Sequence, residues 1–232
     1  MMNNPTGLAI LLLLLATPSL SFILKKNALP YNVKDSSDYA YLAGLAYCPK
    51  KCLDGWSCKS GVQFDLVEVT HINNDITLAS CYIGYFRSKN LIVVSFRGSA
   101  NAQNWIEDFN IEMVSYDCKG CEVHAGFYND YRVIEAKVDA KVAEMNTKYP
   151  TARILTTGHS MGAALSEIAG LRLRQKFAVP VDVHNFGCPR VGNPAMAQFI
   201  TTRVDSLYRV VHHKDLIPHL PPESAFYHHS AF

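Results

Sequence analysis

Charged side chains are scarce in this 232-residue chain, at 18%, and they leave a net charge of only +2. The Lys and Arg residues are scattered, so no continuous basic surface is available for a polyanion and a nucleic-acid partner is not expected. There is no internal repeat, low-complexity tract or linker, and no Asn-x-Ser/Thr sequence for N-glycosylation. A long hydrophobic run is missing as well. The first 24 residues hold no charged side chain, yet their apolar stretch, Leu8 to Ala16, is too short to span a bilayer, and Pro18 interrupts its extension. No stable transmembrane span is expected. The small residues Ser19 and Ser21 suit cleavage after Ser21, which predicts a signal peptide over 1–21 and one domain over 22–232, secreted or lumenal in the secretory pathway, vacuole and lysosome included. With 49% apolar residues, the chain has ample material for a core, which excludes a disordered chain.

Seven cysteines fit an oxidising compartment. Cys118-Lys119-Gly120-Cys121 reads as a small structural disulfide rather than a redox pair or half a zinc site. Cys48, Cys52 and Cys58 crowd one polar loop and look like disulfide partners; without a clear histidine partner they make a poor zinc set, so no metal is expected. Cys188 follows an apolar strand and is expected as a buried thiol. The pairing of Cys48, Cys52, Cys58, Cys81 and Cys188 is left open, and the odd count leaves at least one cysteine unpaired within the chain.

The residue pattern predicts an α/β fold. Asp35 can cap a helix running to about Tyr47. Strand-like runs follow at Phe64 to Ile72, Ile76 to Arg87 and Leu91 to Phe96, the last apolar nearly throughout and so suited to a strand covered on both faces. Ser88-Lys89-Asn90 is a plausible hairpin turn. Phe127, Tyr131, Ile134, Val138, Val142 and Met145 recur at helical spacing, and Pro150 ends that helix. Thereafter strands at Arg153–Thr157, Val181–Phe186 and Leu207–His212 alternate with helices at Met161–Lys176 and Pro194–Arg203. Alternation of this kind means a mostly parallel mixed sheet with helices on both faces and an antiparallel edge.

Gly158-His159-Ser160-Met161-Gly162 matches G-x-S-x-G. The pentapeptide alone is a weak signal, but here a strand precedes it and a helix follows, which is the setting of a nucleophile elbow. A serine hydroxyl is a poor nucleophile at neutral pH and needs a histidine to accept its proton and a carboxylate to orient that histidine. Asp215 lies 55 residues beyond Ser160, just after a predicted strand, where a carboxylate shares the sheet rim with the elbow.

Taken with these features, several segments resemble the class 3, or fungal-type, triacylglycerol lipases of the α/β-hydrolase superfamily: Ser95-Phe-Arg-Gly-Ser99, Asn104-Trp105, Cys118-x-x-Cys121, His124-x-Gly126-Phe127, Thr157 to Gly162, Phe186 to Gly192, and His213-Lys-Asp215-Leu-Ile-Pro218 with Leu220-Pro-Pro222. The resemblance runs from about Tyr39 to the end. It implies an α/β-hydrolase fold, Ser160 as nucleophile, Asp215 as acid, and an oxyanion hole formed by the Ser99 and Met161 N–H groups. It also implies a disulfide between Cys118 and Cys121, a structural His159 with its side chain turned away from Ser160, and no cofactor. Asn101 to Phe109 would be an amphipathic lid, with Trp105, Ile106 and Phe109 as its contacts at a lipid–water interface. The substrate would be an acylglycerol or another ester. A peptidase, thioesterase or acyltransferase on the same fold is less favoured by the Phe-Arg-Gly-Ser and Asp-Leu-Ile-Pro segments.

One departure stands out. In the family the catalytic histidine lies further beyond the acid than the 17 residues that follow Asp215 here. The resemblance therefore implies a C-terminally short domain that stops before its base, with His229 or His228 as weak candidate replacements. A missing C-terminal partner for Cys48, which is paired there in some fungal members, would account for the odd cysteine count. The alternative is a short form that binds lipid or an interface without hydrolysing it.

Overall fold

A computed structural model describes residues 28–58, 61, 63–77, 79–99 and 110–231. The expected signal peptide and the expected lid, residues 101–109, lie outside the described residues.

Helix α1 spans Val33–Leu45, and its N-cap is Asn32, whose side chain accepts the Asp35 N–H at 3.0 Å. The expected cap, Asp35, is instead the residue being capped; it sits in the first turn, where a carboxylate also meets the positive end of the helix. Helix α2, Lys50–Asp54, is a single short turn-and-a-half after it. Strands β1 (Leu66–Asn73), β2 (Ser80–Phe86) and β3 (Leu91–Phe96) form an antiparallel meander. Between β2 and β3 the expected turn is a 3-10 turn over Arg87–Lys89 that ends with Asn90 in the left-handed region. A small pair, β4 (Met113–Ser115) with β5 (Glu122–His124), leads into the long helix α3, Ala125–Lys148. The rest alternates: β6 (Arg153–His159), α4 (Met161–Lys176), β7 (Val181–Phe186), α5 (Pro194–Arg203) and β8 (Ser206–Val210).

The main sheet has the order β1-β2-β3-β6-β7-β8, parallel from β3 onward. It is the mixed, mostly parallel sheet that the alternation predicts. One face is covered by α1, with Tyr39, Leu42 and Leu45 packed on Tyr82, Val93 and Leu155. The other carries α3 and α4, where Phe127, Tyr131, Ile134, Val138, Val142 and Met145 bury the stripe read from their spacing. Burial on both faces explains why all six residues of β3 are inaccessible.

Strand β7 is buried although it contains Asp182, His184 and Asn185. Each of the three side chains has at least one partner, although Asn185 Oδ1 has none among the described residues. Arg153 donates twice to the Asp182 carboxylate, at 2.7 and 2.8 Å, and Ser206 donates to it at 2.5 Å. His184 Nε2 shares a hydrogen bond with Ser36 Oγ at 2.9 Å, and Asn185 donates to Glu167 at 3.2 Å. Pairing is what makes such burial tolerable.

A candidate active site at the strand-to-helix elbow

Ser160 stands between β6 and α4 with φ 57° and ψ −128°, a strained conformation for a residue with a side chain. Its N–H is held by the Phe186 carbonyl at 3.0 Å, and its own carbonyl accepts from Ala163 N at 2.9 Å, the first bond of α4. The turn is tight because glycine flanks it on both sides. A Cβ at Gly158 would lie 2.9 Å from Ala163 N, and one at Gly162 would lie 2.8 Å from the Arg97 carbonyl carbon. The hydroxyl is buried and has no hydrogen-bond partner among the described residues. A buried unpaired hydroxyl is costly, and its coincidence with strained backbone makes Ser160 a candidate functional residue.

Asp215 meets the same rim from the other side. Its Oδ1 accepts Ile217 N–H at 2.9 Å, which fixes the turn after β8. Its Oδ2 lies over Gly187, 2.7 Å from where a Cβ would be, and Gly187 has a φ of +58° that favours glycine. Gly187 directly follows Phe186, the residue that holds Ser160. The structure thus brings Ser160 and Asp215 to opposite sides of one loop at the C-terminal ends of β6, β7 and β8.

The end of β3 supplies the third side. Gly98 packs against the His159 carbonyl, and the space a Cβ on Gly98 would fill is taken by the Tyr47 hydroxyl. Ser99 and Met161, the expected oxyanion donors, therefore flank the elbow from two directions. Tyr47 was not legible in the sequence. Its hydroxyl shares a hydrogen bond with His159 Nδ1 at 3.1 Å, so the His159 ring is turned to Tyr47, as expected for a structural residue. Burial pulls the His159 pKa below its usual value, and the nearby Asp215 carboxylate opposes that shift.

None of the histidines serves Ser160. Ser160 Oγ receives no hydrogen bond from any of the nine, all of which are among the described residues. His229 Nε2 is bonded to the Pro218 carbonyl at 2.7 Å. Burial, with Arg209 adding to it, lowers the His229 pKa to about 4. The other candidate, His228, has an exposed side chain, and its backbone N–H is bonded to Gly192 O at 2.8 Å.

The loop that follows Asp215 is clamped by Arg190. Its Nη1 donates to the carbonyls of His219 at 2.7 Å and Pro221 at 2.8 Å, and its Nη2 reaches Glu223 at 3.1 Å. Cys118 and Cys121 are joined, with Cα atoms 5.4 Å apart, whereas Cys48, Cys52, Cys58, Cys81 and Cys188 are free. Cys188 is fully buried, as its place after β7 predicts. No group of three or more His, Cys, Asp or Glu residues suited to a metal occurs among the described residues. None of the described helices is long and apolar enough to cross a membrane.

Comparison with known proteins agrees with this geometry. The family model described as Lipase (class 3) matches residues 93–225. The chain is 33% identical to secreted mono- and diacylglycerol lipase 1 of Fusarium solani over 221 residues, covering 90% of this chain and 66% of that protein. It is 29% identical to a lipase of Rhizopus niveus, covering 83% of this chain and 51% of that protein. It therefore spans about half to two-thirds of the length of these curated relatives. The crystal structure of a lipase from Rhizopus microsporus var. chinensis superposes with a TM-score of 0.79 at 29% identity, covering 87% of this chain and 73% of that one. With the family match spanning more than half of its length and its sheet superposing on an α/β-hydrolase of that family, the chain belongs to the class 3 lipases.

Proposed function

We propose that this chain is the hydrolytic domain of a secreted serine esterase acting on acylglycerols. The observation that carries the reading is the buried, unpartnered Ser160 hydroxyl, held at a strained corner on the rim where Asp215 and the Gly98–Ser99 segment converge. The names of the relatives support an acylglycerol substrate and a secreted location. Residues 101–109 would serve as the lid at a lipid–water interface.

In this reading Ser160 Oγ attacks the ester carbonyl as an imidazole takes its proton and passes it to the departing alcohol. The tetrahedral oxygen is received by the Ser99 and Met161 N–H groups, each donor typically worth about 3 kcal/mol. The alcohol leaves, and water then releases the acid from the acyl-serine. Asp215 would orient an imidazole placed between its free Oδ2 and Ser160. His229 is poorly matched to that role. With a pKa near 4 it is a weak proton acceptor at neutral pH, and its Nε2 is held by Pro218.

A second reading is favoured by one observation, the absence of any described histidine on Ser160: a lipid- or interface-binding homologue that keeps the fold without the base. Two measurements on the purified chain and its Ser160→Ala variant separate them. Labelling by a fluorophosphonate and hydrolysis of a short p-nitrophenyl ester, both lost in Ser160→Ala, support the esterase. No labelling and no hydrolysis, with retained binding to acylglycerol-containing vesicles, overturn it in favour of the second reading.

A further inference from the structure

A cavity of about 260 Å³ lies at the rim of the sheet opposite the elbow. Leu91, Leu155, Asp182 and Ser206 line it from at or near the starts of β3, β6, β7 and β8. Its size falls just short of the ~300 Å³ at which pockets for drug-sized ligands begin, so it suits a smaller molecule.

The chain brings aromatic rings to this cavity from several elements. Asp35 and Tyr39 are four residues apart on α1 and share one face of it. Asp182 and His184 are two apart on β7, so both face α1. Tyr208 of β8 is the register partner of His184. Tyr31, just ahead of the α1 cap, folds over both. Its ring stacks on His184 with centroids 5.9 Å apart and meets Tyr208 edge-on at 5.4 Å. Tyr39 meets His184 edge-on at 5.3 Å, and the Tyr208 hydroxyl donates to the Leu29 carbonyl at 2.7 Å. The rings are thus fixed against one another before anything binds.

The lining also has a sign. Asp35 and Asp182 are part of it, whereas the cations that pair with them, Lys89 and Arg153, are not. Asp35 meets Lys89 through Oδ1, which leaves Oδ2 without a partner among the described residues. Lys89 Nζ stands 6.0 Å from the centre of the Tyr39 ring, so that ring already accepts a positive neighbour. Burial pushes the Tyr39 phenol well above its usual pKa, with Asp35, Asp182 and Asp38 adding to the shift and Arg153 opposing it. His184 brings no balancing charge at neutral pH, because burial lowers its pKa to about 4. Tyr39 itself points to an occupant. It is only 6% exposed, and its hydroxyl has no hydrogen-bond partner among the described residues. A polar group so enclosed is costly to leave unpaired.

Aromatic faces beside carboxylates, with no cation in the lining, suit a weakly hydrated organic cation. We propose that this cavity binds a small quaternary ammonium compound, with its methyl groups against the rings of Tyr31, Tyr39 and Tyr208 and its charge toward Asp35. The cavity lies at the far end of the strands from Ser160, so a lipid layer against the elbow does not reach it and the ligand is a free solute.

Calorimetric titration of the purified chain with choline chloride tests this without an ester substrate, so its outcome is independent of the proposed function. Saturable binding of one choline per chain is expected, with a Kd of about 1 mM or below. The neutral carbon isostere, in which a tert-butyl group replaces the trimethylammonium, should bind about tenfold more weakly. Tyr31 is half-exposed, so Tyr31→Leu leaves the core intact, and it should weaken choline binding about tenfold, as should Asp35→Asn. No saturation by about 10 mM choline overturns the proposal. So does equal binding of the neutral isostere, or unchanged affinity in both variants. Sedimentation with phosphatidylcholine vesicles, absent with phosphatidylglycerol vesicles and lost in Tyr31→Leu, would assign the cavity to a lipid headgroup and overturn the free solute.

Discussion

The closeness of α4 to β3 at the elbow has a measurable cost when it is denied. A Cβ at Gly162 would lie 2.8 Å from the Arg97 carbonyl carbon and 2.9 Å from that of Phe96, and closer still to the Phe96 oxygen. These are backbone atoms of a central strand, so they cannot move aside as a side-chain tip can. Overpacking of a close-fitted interior usually costs about 1–3 kcal/mol, and a backbone obstacle places Gly162→Ala at the upper end, about 3 kcal/mol. For a domain of this size 1 kcal/mol shifts the thermal midpoint by roughly 2–4 °C, so the expected fall is roughly 6–12 °C. Gly120→Ala is the control. Its φ is +73° but nothing lies within 4 Å of the added Cβ, so it carries only the left-handed penalty of about 1–2 kcal/mol. Both variants are followed by circular dichroism through thermal and urea unfolding. If Gly162→Ala unfolds with the wild type, or no earlier than Gly120→Ala, the elbow is looser than argued and Ser160 is not held by close packing.

Three further outcomes follow from other parts of the fold. Burial lowers the His184 pKa to about 4, so its contribution to stability is whole above the unfolded value of 6.5 and is lost as pH falls through 4. That difference amounts to roughly 3 kcal/mol, and the double variant Ser36→Ala/His184→Phe should show a flatter fall in urea midpoint over that window; an unchanged slope refutes it. Burial raises the Glu167 pKa above its ordinary 4.5, so its contribution is whole below that value and is lost as pH rises through the folded one. Glu167→Gln should therefore gain on the wild type between pH 5 and pH 8, and an equal effect at both pH values contradicts the assignment. Tyr47→Phe removes a hydrogen bond to His159 worth about 1 kcal/mol. The fluorophosphonate labelling rate of Ser160 is expected to fall about fivefold with the fold retained, and an unchanged rate means Tyr47 does not support the site.

What was legible in the sequence is what periodicity and backbone chemistry write locally. The stripe from Phe127 to Met145 and the apolar run of Leu91 to Phe96 each met a partner surface of the matching kind. G-x-S-x-G between a strand and a helix located the corner, because glycine is demanded there by atoms only a few residues away, as with Gly158 against Ala163. The cap of α1 was missed by three residues because Asn32 and Asp35 are both good capping types, and only the backbone shows which one turns. Tyr47 was missed for a different reason. Its partners, Gly98 and His159, lie 51 and 112 positions away, and a tyrosine after a helix carries no mark of such neighbours. Ser36 with His184, 148 residues apart, escaped in the same way.

Long-range assembly of the site nonetheless has a simple cause in the order of the sheet. Because β7 lies between β6 and β8, the loop leaving β7 passes between the residues that leave the other two. Its first residues settle Ser160, through Phe186 O, and cradle Asp215, through Gly187. Arg190, two residues past Cys188, then fastens the stretch after Asp215 by its contacts to His219, Pro221 and Glu223. A hydroxyl and a carboxylate 55 positions apart are thus registered against the same few backbone atoms. A shift of that loop moves both groups at once, so disturbance at Arg190 and at Gly187 should be coupled rather than additive.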